Sequence, residues 1–254
     1  MCIRDRYKEA AEALEYATII NCEFQDGFVM AGEAYMQIEE YSKALDLYSE
    51  LLVNSHDKSE IYTKMGICHF NNGQMVTAFN HFKKAVRLNP KNATAHFQIG
   101  EYYSKKNFLQ KAINAYLMAM QIEDRNEVFY AAIAEAFEKQ GAFDKALPFY
   151  QQAADIAADV PDYWVMLAVF YMNLDKYDEA LKVIEESKNY TSGIGLSLCE
   201  IVCLYYLNDR IGAQHLLRKF LVTQHSYAEM LFEFGPDLYH DFDIRSTITA
   251  FNPN

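Results

Sequence analysis

The sequence predicts an all-α fold, a solenoid of antiparallel helix pairs, and three observations carry that prediction. Alanine stands at Ala10, Ala44, Ala78, Ala112, Ala146 and Ala180, each 34 residues after the last, and Ala213 continues the series one residue early. Between these markers the large apolar residues recur three or four apart, the spacing of one helical face. Five prolines and ten glycines in 254 residues are too few for a fold built on many tight turns. A fixed period of this length marks a repeat array, whose core grows unit by unit.

Within each unit the first helix is read from its columns. A small residue keeps the step at Gly32, Gly66, Gly100, Ala134 and Ala168. Large residues interleave with it: Phe28, Tyr62, His96, Tyr130 and Trp164; then Ala31, Met65, Ile99, Ile133 and Leu167; then Tyr35, His69, Tyr103, Phe137 and Tyr171. A break follows, as at Asn71-Asn72-Gly73, Lys106-Asn107 and Gln140-Gly141, and a second helix begins. That helix carries the alanine series and the aromatic column Tyr48, Phe82, Tyr116 and Tyr150. Small residues let two helix backbones approach, and aromatics fill the space to the next pair. No single pair buries such a face alone, so stacking supplies the core.

These columns resemble the tetratricopeptide repeat, most closely over Tyr62–Pro90, where Ala85 and Asn89-Pro90 close the second helix. The resemblance implies a right-handed superhelical solenoid. It divides the chain into the second helix of a truncated repeat (7–24) and five full repeats (25–58, 59–92, 93–126, 127–160 and 161–193). A degenerate sixth (194–226) and capping helices (227–254) follow. Ser59, Asn92 and Asn126 are expected N-caps, Pro161 suits a first helical position, and Pro148 is expected to kink its helix slightly.

The two ends depart from the pattern. Residues 1–6 fit no register and are expected to be a non-native junction, which makes the chain a C-terminal fragment of a longer protein. Tyr7, Ala10, Leu14 and Ala17 are expected on one face of an orphan helix, whose exposed apolar side suggests self-association. Behind Phe220 the repeat degrades. Tyr227–Glu233 and Asp241–Ala250 read as helices broken at Gly235-Pro236, a terminal cap rich in Phe232, Phe234, Phe242 and Phe251.

Composition excludes several functions. A net charge of −12 argues against a nonspecific grip on nucleic acid or an anionic membrane. No run of 18 apolar residues spans a bilayer. Cys2, Cys22, Cys68, Cys199 and Cys203 form no CxxC pair, so a reducing compartment, the cytoplasm, is expected, with any leader lost upstream. His69 and His96 stand in aromatic columns and read as ring substitutes in the core. No HExxH, phosphate loop, nucleophile elbow or Cys–His signature occurs, so neither catalysis nor a metal or cofactor is expected.

The resemblance places function on the first helices, which line a concave groove in this family and bind peptides or partner helices. By register that groove holds Asp26, Met30, Glu33, Gln37, Glu60, Lys64, Ile67, Asn71, Gln98, Glu101, Lys105, Glu135, Lys139, Asp162, Met166, Val169 and Asn173. Acids outnumber bases, and the surface turns apolar toward Val165, Met166, Met172 and Tyr205-Tyr206, which suits a basic, hydrophobic ligand. The family's clamp for acidic tails is a poor match: Val29, Glu33, Lys64, Thr94 and Gln98 offer one base, and Thr63, Ile67, Gln98, Val128 and Ala132 none. The expected role is a protein–protein interaction scaffold. The alternative is a substrate-docking or regulatory arm of an enzyme or signalling protein whose catalytic domain lies upstream.

Overall fold

A computed structural model describes residues 3–21, 24–55 and 57–251. Cys2, Cys22, His56, residue 1 of the expected junction and residues 252–254 of the expected cap lie outside the described residues. The chain forms two compact units, Met1–Asp124 and Arg125–Asn254. The first contains α1 (Ile3–Ile20), α2 (Gln25–Gln37), α3 (Tyr41–Asn54), α4 (Lys58–Asn71), α5 (Met75–Leu88), α6 (Ala93–Lys105) and α7 (Leu109–Ile122). The second contains α8 (Glu127–Lys139), α9 (Phe143–Ile156), α10 (Pro161–Met172), α11 (Tyr177–Ser187), α12 (Ile194–Tyr206) and α13 (Arg210–Gln224). It ends in a tail of the 3-10 turn His225–Met230, α14 (Leu231–Phe234), the 3-10 turn Pro236–His240 and α15 (Phe242–Phe251). Among the described residues there is no strand, and the fold is the all-α helix-pair solenoid that the period predicts.

Each first helix turns into its second through one left-handed residue. These are Glu39, Gly73, Asn107, Gly141, Asp175 and Asn208, with φ between 56° and 75°. Glycine adopts this backbone freely, and Asn and Asp tolerate it. The turn residues therefore keep the same step as the alanines.

The small column and the second-helix aromatics form one packing device. A Cβ on Gly32, Gly66 or Gly100 would stand 2.5, 2.3 and 2.3 Å from ring atoms of Tyr48, Phe82 and Tyr116. Those three rings are buried, as are Ala44, Ala78, Ala112, Ala146, Ala180 and Ala213. Outside this seam, lysines lie over rings of the third first-helix column, of which Tyr35 is buried and Tyr103 and Phe137 half-buried. Lys43 sits 5.0 Å from the Tyr35 ring centre, Lys111 5.5 Å from Tyr103 and Lys145 5.9 Å from Phe137.

Three local expectations are corrected. In α1 the buried residues are Ala11 and Thr18, with Leu14 and Glu15 between them, while Ala10 is exposed. The alanine series thus enters α1 one residue late, at the neighbouring alanine. The N-cap of α4 is Asp57, which accepts from the Glu60 amide at 3.1 Å, not Ser59. Ser59 is buried inside the helix and donates to the Ala85 carbonyl at 2.9 Å. Finally, α1 begins at Ile3 rather than Tyr7, and Arg4 donates to the Ile38 carbonyl at 3.2 Å. Asn92 and Asn126 do cap α6 and α8 through their side chains, Pro161 opens α10, and α9 runs unbroken through Pro148.

Candidate functional site

The expected groove residues all lie on first helices or at their ends, and each unit arranges its own share. In the first unit Asp26, Met30, Glu33 and Gln37 are exposed along α2. On α4, Glu60 and Asn71 are exposed and Lys64 and Ile67 half-buried; on α6, Gln98 and Glu101 are half-buried and Lys105 exposed. Lys64 joins two helices here, 2.5 Å from Glu33 of α2 and 3.4 Å from Glu60 of its own helix. A cation held between two carboxylates leaves that patch net acidic. Lys105 is directed over the Phe70 ring, 4.2 Å from its centre, and Glu101 accepts from the Tyr116 hydroxyl at 2.5 Å.

Beside Lys64 a cleft of about 280 Å³ opens among Asp57, Glu60, Ile67, Asn89 and Thr94. Its wall is a polar network that the sequence reading missed. Asn92 donates to Ser59 at 2.9 Å and to Thr63 at 3.1 Å, while its carbonyl oxygen caps α6 at the Ala95 amide, 2.8 Å away. One amide side chain therefore caps the start of α6 and ties it to the preceding first helix, α4.

In the second unit Glu135 and Lys139 of α8 pair at 3.3 Å. Asp162 and Asn173 are exposed at the two ends of α10, with Met166 and Val169 half-buried between them. Glu138, which the sequence reading left out, is the hinge of this surface. It accepts from Tyr150 at 2.5 Å and from Asn173 at 3.1 Å, joining α9, α8 and α10. Burial and the Glu138 carboxylate push the Tyr150 phenol well above its usual range. The signal for Glu138 was periodic: it shares the 34-residue column of Met36, whose sulfur faces the Tyr48 hydroxyl at 3.6 Å. A trough of about 400 Å³ lies between α8 and α10 over Met166, Val169 and Phe170.

The buried cysteines and histidines form no site of this kind. Burial pushes the Cys68 and Cys203 thiols up to about 12 and raises Cys199 further, so these sulfurs are packing atoms. His69 stacks on His81 at 5.0 Å, and the His96 ring bonds the Pro90 carbonyl at 3.0 Å. Among the described residues no group of His, Cys, Asp and Glu could hold a metal ion, and no helix is long and apolar enough to cross a membrane.

Comparison with known proteins agrees with this geometry. Family models of the tetratricopeptide repeat match residues 59–92 and 138–191. The chain is 30% identical over 87 residues to protein bimA of Emericella nidulans, covering 34% of this chain and 11% of that protein. It is 36% identical over 70 residues to the photosystem I assembly protein Ycf3 of Prochlorococcus marinus, covering 26% of this chain and 40% of that one. The chain thus spans well under half the length of these curated relatives. The solved structure of Pseudomonas aeruginosa pilF shares the fold, with a TM-score of 0.66 at 14% identity over 88% of this chain and 96% of that one. Residues 59–92 and 138–191 match the tetratricopeptide repeat, and the helix pairs around them share its fold.

Proposed function

We propose that this protein is an interaction scaffold whose first-helix surface takes a basic, partly apolar peptide or helix of a partner protein. The observation that carries this reading is the chemistry of that surface in each unit. Carboxylates ring half-buried apolar positions, and the lysines present are already engaged, Lys64 between Glu33 and Glu60 and Lys139 with Glu135. An assembly role also fits the kind of relative matched, since Ycf3 is an assembly protein by its name. A short segment ordered on docking binds with a Kd of about a micromolar, some 8 kcal/mol.

The test separates location from net charge. Peptides are selected on the purified chain from a random phage-displayed library. Their affinities are then measured for two variants of equal charge. One is Asp26→Lys, Glu60→Lys, Asp162→Lys on first helices, and the other is Asp46→Lys, Glu50→Lys, Asp144→Lys on second helices. The proposal expects basic, apolar peptides that lose at least tenfold in affinity to the first variant and little to the second. Equal losses contradict it.

A further inference from the structure

At the groove positions Cys199 and Val202, the first helix of the sixth repeat is covered by the chain's own tail. With the 33-residue step set by Ala180 and Ala213, the groove positions Met166, Val169 and Asn173 of α10 correspond to Cys199, Val202 and Tyr206 of α12. Met166 and Val169 are half-buried, whereas Cys199 and Val202 are both 0% exposed. The difference is the tail. Gly235 crosses Val202 so closely that a Cβ there would lie 3.1 Å from both Val202 methyl groups. Leu231, Leu238, Ile244 and Ile248 join Cys199 and Val202 in one buried cluster. Two carboxylates pin the segment, Asp237 accepting from Tyr206 at 3.0 Å and Asp241 from Tyr205 at 2.9 Å.

Where the tail meets α10 it leaves a cavity of about 300 Å³. Val169, Met172 and Asn173 of α10 and its end line it together with Tyr177, Tyr206 and the tail residues Glu233, Phe234 and Pro236. Tyr206 is held on two sides: it stacks on Tyr177 at 4.8 Å with 12° between the planes, and its hydroxyl donates to Asp237. Val169 also lines the trough between α8 and α10, so one side chain borders both hollows. A hollow of this size, with Val169, Met172, Tyr206 and Phe234 in its lining, matches a single large apolar side chain. Glu233 is exposed at the rim, and Glu135 and Glu138 line the adjoining trough with one lysine, Lys139, among them.

Resting on the proposed scaffold reading, we infer that this end pocket, built jointly by α10, α12 and the tail, is the specificity site of the second unit. It takes a Leu, Met or Phe side chain of a partner peptide whose neighbouring residues are Lys or Arg. The tail is the end stop of the surface, so the ligand's anchor residue is read here and the rest runs back over Met166 toward α8. A preformed pocket whose Tyr206 is already held by Tyr177 and Asp237 lowers the ordering cost of docking, and the carboxylates select the flanking charge.

The probe is an array of 12-residue peptides with one central Leu, Met, Phe, Ala or Asp flanked by Lys-Arg or by Glu-Asp, read by fluorescence anisotropy with the whole chain. Expected is binding by the Leu, Met and Phe peptides with basic flanks, weakened at least tenfold by central Ala or Asp. Glu233→Lys weakens it at least fivefold, more at low salt than at high salt. Phe234→Ala weakens it as well, with the melting curve recorded to show that the tail remains folded; Glu233→Lys, at an exposed position, keeps the test valid if it does not. If the basic peptides bind but are lost only to Asp26→Lys with Glu60→Lys, the pocket is overturned and the scaffold reading stands. If no peptide of the array binds, the pocket is overturned, and the scaffold reading then rests on the phage-selected ligands alone.

Discussion

The ring of Tyr116 lies against the backbone of Gly100, so that a Cβ on Gly100 would stand 2.3 Å from Tyr116 Cε1. Tyr116 is buried, and its hydroxyl is held by Glu101 at 2.5 Å, so the ring has no cheap way to withdraw. Gly100→Ala is therefore expected to destabilise the chain by about 1–3 kcal/mol through overpacking, against the gain in helix propensity that alanine otherwise brings. Urea denaturation measures it. Adding Tyr116→Leu is expected to recover part of the loss, which shows that the ring causes it.

Glu39 is the turn residue least suited to its backbone. Its φ is 64°, while Gly73 and Gly141 occupy the same place in later units. A left-handed conformation costs an ordinary residue about 1–2 kcal/mol, and glycine escapes most of it. Glu39→Gly is expected to raise the melting temperature, and Gly141→Ala to lower it. Thermal unfolding by circular dichroism checks both signs.

Asn92 caps the start of α6 and also donates to Ser59 and Thr63. Asn92→Ala removes a cap, about 0.5–2 kcal/mol, and strips two buried hydroxyls of a donor. Asn92→Asp keeps the capping acceptor and loses the donors. Its stability is expected to fall between wild type and Asn92→Ala, as measured by chemical denaturation.

His81 is held below the usual histidine range by burial first, then by the neighbouring His69 and Lys84. Its ring packs on His69 at 5.0 Å and Tyr62 at 5.8 Å. The unfolded chain thus binds the proton more readily than the folded one. The associated stability is fully present above the unfolded value, about 6.5, and is lost as pH falls toward the folded value. His81→Phe, which copies Phe149 of the corresponding column, is expected to flatten the fall in unfolding free energy between pH 7 and pH 5 relative to wild type.

The parts of the fold that repetition enforces were legible. Gly32, Gly66 and Gly100 face Tyr48, Phe82 and Tyr116 because each unit solves the same close approach, and the period exposes it. What escaped were contacts that one unit makes alone. Ser59 looks like an N-cap by type, but its hydroxyl is spent on the Ala85 carbonyl of the next helix, which no local pattern shows. Ala10 and Ala11 are equivalent on paper, and only packing against α2 chooses Ala11. Glu138 stands in a 34-residue column with Met36, Phe70, Ser104 and Met172, where no residue type repeats to mark a carboxylate. The covering of α12 by the tail was not legible either, since Cys199 and Val202 are ordinary apolar residues until Gly235 is seen crossing them.

The central claim is that polypeptide binds along the first helices. Its most direct test is crosslinking of a selected peptide to single photoreactive residues placed along the chain. The account predicts strong crosslinks from Met30, Gln37, Asn71, Lys105, Lys139 and Asn173, all on or capping first helices, and weak ones from Glu50, Val76, Lys111 and Asp144 on second helices. Strong crosslinks confined to the second-helix positions would contradict it.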